Sequence, residues 1–338
     1  MIPSTRSNMM RRRALTGTLG LLGLVGASML PSVPAYAQTY PERPIRLVVP
    51  WPAGGITDSA GRIFAQRLAE RMGNPVVVEN KAGAAGTIGA EQVANAAPDG
   101  YTLLLASAET HAIAPHMRAR LPYDPQRHFV AIAPFAVNPF AIVSNTAFAP
   151  RDVRALIDAA RAAPGRITYS SAGLGSTSQL AMEIFRGQAG VDLLHVPFQG
   201  QAPAMVSLLG GQTDLQMLPA GSAAAQLKGG KVKVFAVTTR ERFFGLADVP
   251  TLHESGYADI DIANWFGIVA PAGLAEPVMR RLVADASFVA RADETRQALR
   301  GLGVDSIKPM DPAEFSGFLK TERERWGAAI RVSGLKPE

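Results

Sequence analysis

Two stretches of this chain carry residue types able to hold an anion without a cation. They are Gly54, Gly55 and Thr57 in "VVPWPAGGITDSAG", and Gly173, Gly175, Ser176 and Thr177 in "SSAGLGSTSQL". Each stretch follows an apolar run and leads into a helical pattern. At such a junction the first helical turn has unpaired N–H groups and a partial positive charge. Glycine lets the backbone approach a ligand closely, and hydroxyls add adjustable donors. In open α/β sheets this is the edge where ligands bind. The same residue types also serve strand-to-helix turns for geometry alone. Asp58, the only ionisable side chain of the first stretch, suits the start of a helix through the dipole and as a cap. Pairing with a ligand amino group is the alternative. Trp51 would either wall a cleft or simply pack.

Other reactive arrangements are missing from the sequence. There is no cysteine, which excludes disulfides, a thiol nucleophile and thiolate metal sites. The five histidines (His111, His116, His128, His195 and His253) lack metal-ligand spacing, so neither metal nor cofactor is expected. "GLGSTS" is not a nucleophile elbow, because its serine follows the second glycine. "GAAGTIG" lacks the dinucleotide fingerprint, and no Walker loop occurs. His111, beside Thr110, is within reach of a ligand held by that segment. His195, inside an apolar strand pattern, reads as a core residue, and "KTERERW" as a solvated helix face. A hydrolase acting through Ser176 would need a base that its sequence neighbours do not offer. The chain therefore reads as a binding protein and not an enzyme.

The elements that must position these turns follow from periodicity. "IRLVVP", "PVVVEN" and "YTLLLAS" read as strands. They alternate with helices over "TDSAGRIFAQRLAERM" (capped by Thr57 or Asp58) and "TIGAEQVANA", a βαβαβ order that implies parallel strands. "RITYSS", "DLLHVPF", "TDLQML" and "KVKVFAVTT" repeat the scheme with helices between them. "AIAPFAVNPFAIVSN", extended and proline-broken, and "DIDIANWFGIVAPAG" are the two candidate crossings. The expected architecture is two α/β lobes joined by two extended strands, with a cleft between them. Residues 38–138 plus 262–338 form one lobe and 139–261 the other.

Composition fixes the setting. Of 338 residues, 47% are apolar, enough for a substantial core. Arg11, Arg12 and Arg13, a short apolar segment and "PSVPAYA" together describe a secretory signal peptide, residues 1–37, cleaved after Ala37. Its loss removes four arginines and takes the formal charge from +6 to +2. That leaves no electrostatic case for nucleic acid and implies an exported protein.

"PIRLVVPWPAGGITD", "VVVENKAGAAGTIGAE", "PDGYTLLLAS", "HVPFQG", "LLGGQTDL", "DVPTLHESG" and "WFGIVAPAG" resemble the Bug family, the extracytoplasmic solute receptors of tripartite tricarboxylate transporters. The resemblance runs from about Tyr40 to the C-terminus. It implies a type II periplasmic-binding-protein fold that closes on its ligand by hinge motion. It also implies a periplasmic monomer that holds a small carboxylate through backbone N–H groups, hydroxyls and waters and docks on two integral membrane subunits. A sensor presenting its closed form to a signalling partner is the alternative role. The family pattern maps ligand contacts to Trp51, Ala53, Gly54, Gly55, Thr57 and Asp58, to Ser107, Thr110 and His111, and to Ser171, Gly173, Gly175, Ser176 and Thr177. Gln199 stands where the family commonly has lysine, which removes a possible cation near the ligand.

Overall fold

The computed structural model describes residues 40–257 and 260–337; the proposed leader lies outside them. The chain order is β1 (Ile45–Val49), α1 (Ile56–Met72), β2 (Val76–Asn80), α2 (Thr87–Ala94) and β3 (Thr102–Ser107). A π-turn at Glu109–Ile113 runs into the short α3 (Ala114–Met117) and then β4 (Phe129–Asn145). There follow α4 (Val153–Ala162), β5 (Thr168–Ser171), α5 (Thr177–Ala189), β6 (Leu194–Pro197), α6 (Gln201–Leu209), β7 (Leu215–Pro219), α7 (Ala220–Lys228) and β8 (Val232–Val237). The chain closes with β9 (Ala263–Pro271), α8 (Glu276–Arg291), α9 (Asp293–Gly301) and α10 (Pro312–Ser333).

The strands lie in the order β2-β1-β3-β9-β4-β7-β5-β6, with β8 also on β4. β1 pairs in parallel with β2 and β3, and β5 in parallel with β6 and β7. Each parallel set brings the C-terminal ends of its strands to one edge, so the loops that follow them gather there. β4 serves both halves. Phe129 to Pro139 pair with β9, and Phe140 to Asn145 pair with β7 and β8. A proline cannot donate to a ladder, and here the register against β9 shifts between Ala131 and Ala133 and between Pro134 and Ala136. The "proline-broken" stretch is thus one continuous strand with bulges, and it carries the chain from one half to the other. The return path is tied by Ile262 N–H donating to Thr238 O (2.9 Å) just before β9.

Burial explains the helices. α1 sinks Ala60, Phe64, Leu68 and Met72 at 3–4 residue spacing and stops at Gly73, whose left-handed backbone (φ 69°) returns an N–H to Ala69 O. Such a buried phenylalanine or leucine stabilises by about 2 kcal/mol. α10 starts with a capping box between Asp311 and Glu314. Its inner face is Phe315, Leu319, Glu322, Trp326 and Ile330, all buried. The expectation of a solvated "KTERERW" face is therefore corrected for Glu322 and Trp326. The segment's charges hide a 3–4 stripe in which one position is a carboxylate. α10 packs on the π-turn, β4 and α5, so it joins both halves. The halves also meet where Gly221 of α7 faces Gly303. A Cβ at residue 221 would lie 2.5 Å from the Gly303 carbonyl oxygen, so only glycine allows this approach.

Candidate functional site

The first glycine turn joins β1 to α1. Gly55, without a side chain, occupies the N-cap position, which corrects the expected cap at Thr57 or Asp58. Asp58 lies one turn in and is buried, 2% exposed. It reaches back to accept from Gly54 N–H (2.9 Å), and also accepts from Arg62 Nε (2.9 Å) and Asn80 Nδ2 (2.8 Å). Asn80, at the end of β2, also donates to the Trp51 carbonyl (3.0 Å). Burial alone would raise the Asp58 carboxyl, but the bonds from Arg62, Gly54 and Asn80 outweigh it and hold the group below its usual range. Both carboxylate oxygens are therefore engaged within the protein, and Asp58 shapes the turn. Residues 52–55 are exposed at the sheet edge, Thr57 is half-buried, and Trp51 packs at the margin of the first-half core.

The second turn joins β5 to α5. Ser176 caps α5, accepting from Gln179 N–H (3.3 Å) and donating to Gly173 O (2.7 Å). Gly173 (φ 125°) and Gly175 (φ 73°) hold backbone conformations that L-residues avoid. Gly175 also passes so close to Met117 that a Cβ would sit 3.1 Å from its methyl group. Phe198 N–H donates to Ser171 O (3.1 Å) and Gly200 N–H to Ala172 O (3.2 Å), which seats exposed Gln199 beside this turn.

His195 lies under the turn, stacked on Tyr169 with ring centroids 4.7 Å apart. Its Nε2 is 2.6 Å from Ser171 Oγ and its Nδ1 3.3 Å from Gln179 Nε2. The sequence places it in the core; it is half-buried and braces the loop. Its tautomer follows from the network. Gly175 N–H, which can only donate, takes Gln179 Oε1 (2.7 Å). That turns the Gln179 amide NH₂ toward Nδ1, so Nδ1 accepts and Nε2 carries the proton toward Ser171. Burial first, and the Arg186 charge second, push the ring pKa down to about 4. A histidine that donates to a serine cannot take its proton, so Ser171 and His195 are not a nucleophile and its base.

A residue that the sequence reading did not single out joins the two turns. Glu109, at the start of the π-turn, is 9% exposed. Its Oε2 accepts from Ser107 Oγ (2.7 Å) and Asn264 Nδ2 (3.2 Å), and its Oε1 from Asn264 Nδ2 (3.0 Å) and Thr177 Oγ1 (3.1 Å). Thr177 is the first residue of α5, so this carboxylate spans the two halves at a helix N-terminus. Beside it lies a cavity of about 60 Å³, room for about four waters. Ala85, Glu109, Met117 and Arg118 line it from one half, and Leu174 and Gly175 from the other. Ala84 and Ala85 hold left-handed backbone (φ 48° and 54°), costing about 1–2 kcal/mol each. This strain is placed directly on the cavity wall.

Ser107 and Thr110 are fully buried at the foot of this wall, where Thr110 Oγ1 accepts from Ser107 N–H (3.2 Å) and meets His111 Nδ1 (2.9 Å). The His111 ring turns away into the core against Phe129, with centroids 4.9 Å apart. Burial, then the Arg323 charge, push its pKa down to about 3, so it is neutral. Its folded pKa lies below the unfolded value of 6.5. Its contribution is therefore full above pH 6.5 and is lost as pH falls toward the folded pKa. Between pH 6.5 and about pH 5 the loss is expected to reach about 2 kcal/mol. Urea midpoints across that range check it; His111→Phe is expected to flatten the decline.

Comparison with known proteins places this geometry. A family model described as "Tripartite tricarboxylate transporter family receptor" matches residues 60–335. Protein BugT of Bordetella pertussis is 31% identical over 325 residues, covering 95% of this chain and 99% of that protein. The solved structure of R. palustris Rpa4515 with adipate superposes with a TM-score of 0.77 at 30% identity, covering 88% of this chain and 100% of that one. MatC from Rhodopseudomonas palustris with bound malate gives 0.73 at 31% identity, covering 86% and 100%. With a matching family model over most of its length and a shared periplasmic-binding-protein fold, the chain belongs to the receptor family of the tripartite tricarboxylate transporters, the Bug family that its loops resemble.

Proposed function

We propose that the chain is an exported, periplasmic receptor that captures a small carboxylate between its two halves and delivers it to the two membrane subunits of a tripartite transporter. The observation that carries this reading is the cavity at which strand-end loops of both halves converge, with the capped N-terminus of α5 on one side. Its donors are backbone N–H groups and hydroxyls, which suit a carboxylate held partly through water. Relatives of similar length were solved with adipate and with malate. The halves act as lobes, residues 38–138 plus 262–338 and residues 139–261, that close about β4 and the return strand when ligand joins them. The mature receptor works as a monomer. The proton placement at Ser171 and His195 supports binding without turnover.

A thermal-shift screen of the chain from residue 38 onward, against succinate, malate, adipate, citrate, aspartate and glutamate, tests this. A true ligand at a hundred times its dissociation constant adds about 2.7 kcal/mol and raises the melting midpoint. If no carboxylate moves the midpoint, the receptor reading fails.

A further inference from the structure

We propose that Glu109 makes this cleft select a carboxylate solute that also carries a protonated amine. The inference rests on the receptor reading above and narrows its ligand class. Glu109 is nine-tenths buried on the cavity wall, and its three donors (Ser107 Oγ, Asn264 Nδ2 and Thr177 Oγ1) are all neutral. Among the described residues it forms no ion pair. Arg118, on the same cavity, has a contact of its own elsewhere. Hydroxyls and an amide satisfy lone pairs, but a carboxylate withdrawn from water calls for a countercharge. A carboxylate offers about four acceptor positions, so it has room for an ammonium N–H beside these donors.

The placement also works against a plain dicarboxylate. Thr177 opens α5, and the Glu109 oxygen that it contacts stands where an incoming anion would meet that helix end. A solute anion pressed against Glu109 meets a like charge in a confined, poorly hydrated space. A zwitterion resolves both demands: its ammonium faces Glu109, and its carboxylate faces the turn N–H groups. Selectivity of this kind combines an attraction for the right solute with a repulsion of the wrong one.

Matched pairs separate this from the general reading. Calorimetry would compare L-aspartate with succinate, L-glutamate with glutarate, and 2-aminoadipate with adipate, on wild type and on Glu109→Gln. In wild type, the aminated member of at least one pair is expected to bind about tenfold or more tightly than its plain partner. In Glu109→Gln that ratio should collapse or invert, with the plain acid gaining affinity. Plain acids binding wild type as tightly as their aminated partners would overturn the inference and leave the receptor reading standing. So would binding only of non-aminated carboxylates elsewhere in the panel. Silence across the whole panel would remove the receptor reading, and this inference with it. The wild-type ratio does not depend on the variant folding.

Discussion

Replacing Glu322 by leucine is expected to lower the unfolding free energy by about 3 kcal/mol, because it leaves two buried indole donors unpaired at about 1–3 kcal/mol each. Glu322 Oε2 accepts from Trp265 Nε1 on β9 (3.1 Å) and from Trp326 Nε1 on α10 (3.2 Å), while Oε1 pairs with Arg325 (3.1 Å). The side chain is 2% exposed. Glutamine keeps a carbonyl oxygen for both indoles and should cost far less, so the two variants separate the lost acceptor from the lost charge. Burial is the largest influence and raises the Glu322 pKa above its usual 4.5; Arg325 and the indoles pull the other way without winning. A raised carboxyl supports folding fully below the unfolded value, and that support is lost as pH rises through the folded one. The glutamine variant escapes this loss, so its stability relative to wild type should improve from about pH 4 to pH 8. Urea midpoints at both values decide the matter. A leucine variant as stable as the glutamine variant at pH 8 would mean that the indoles do not depend on Glu322. Because α10 packs on both halves, the leucine variant should loosen the seam beside the cavity and not only the helix.

The same residue shows what the sequence conceals. Phe315, Leu319, Trp326 and Ile330 announce a buried face, but a glutamate in "ERERW" reads as solvent until its two indole donors, one of them 57 positions away, are in place. The glycine turns were legible because a turn is local chemistry: an apolar run, glycines and hydroxyls, then a helix. The parallel order of β1, β2 and β3 was legible for the same reason. Glu109 was not, since its meaning lies in Thr177 and Asn264, which are 68 and 155 residues distant. Nothing in "SAETHAI" tells that its acid will be buried against a hydroxyl of the other half. His195 was half legible. The apolar strand around it predicts burial, but its role under the second turn needs the neighbouring α5 to bring Gln179 alongside. α4, with its Asp152 cap, went unassigned, although its apolar spacing at Val153, Leu156, Ile157 and Ala160 was there to read.

At the first turn the decisive test is Asp58→Ala, expected to cost about 3 kcal/mol, since hydrogen bonds to a charged acceptor contribute about 1.5–3 kcal/mol each. Of the three donors, Arg62 is 51% exposed and contributes little; the Gly54 N–H and the Asn80 amide make the difference. Asn80 also holds the Trp51 carbonyl, so its release should free the whole segment from Trp51 to Asp58. Asp58→Asn retains one acceptor but turns an NH₂ group toward a donor on its other side, and should fall between alanine and wild type. The carboxyl sits below its usual 3.8 despite burial. Its contribution is therefore present above the unfolded pKa and is lost only as pH falls through the folded one. The gap between wild type and alanine should hold at about pH 5 and narrow toward pH 3. If the receptor reading is right, alanine should also weaken whichever carboxylate stabilises the wild type, and more than Arg62→Gln does, because only Asp58 fixes the Gly54 N–H. Unchanged melting together with unchanged binding would mean that the turn keeps its shape through backbone preference alone. In that case Gly54 and Gly55 would serve geometry, and the anion would be gripped from the α5 side of the cavity only.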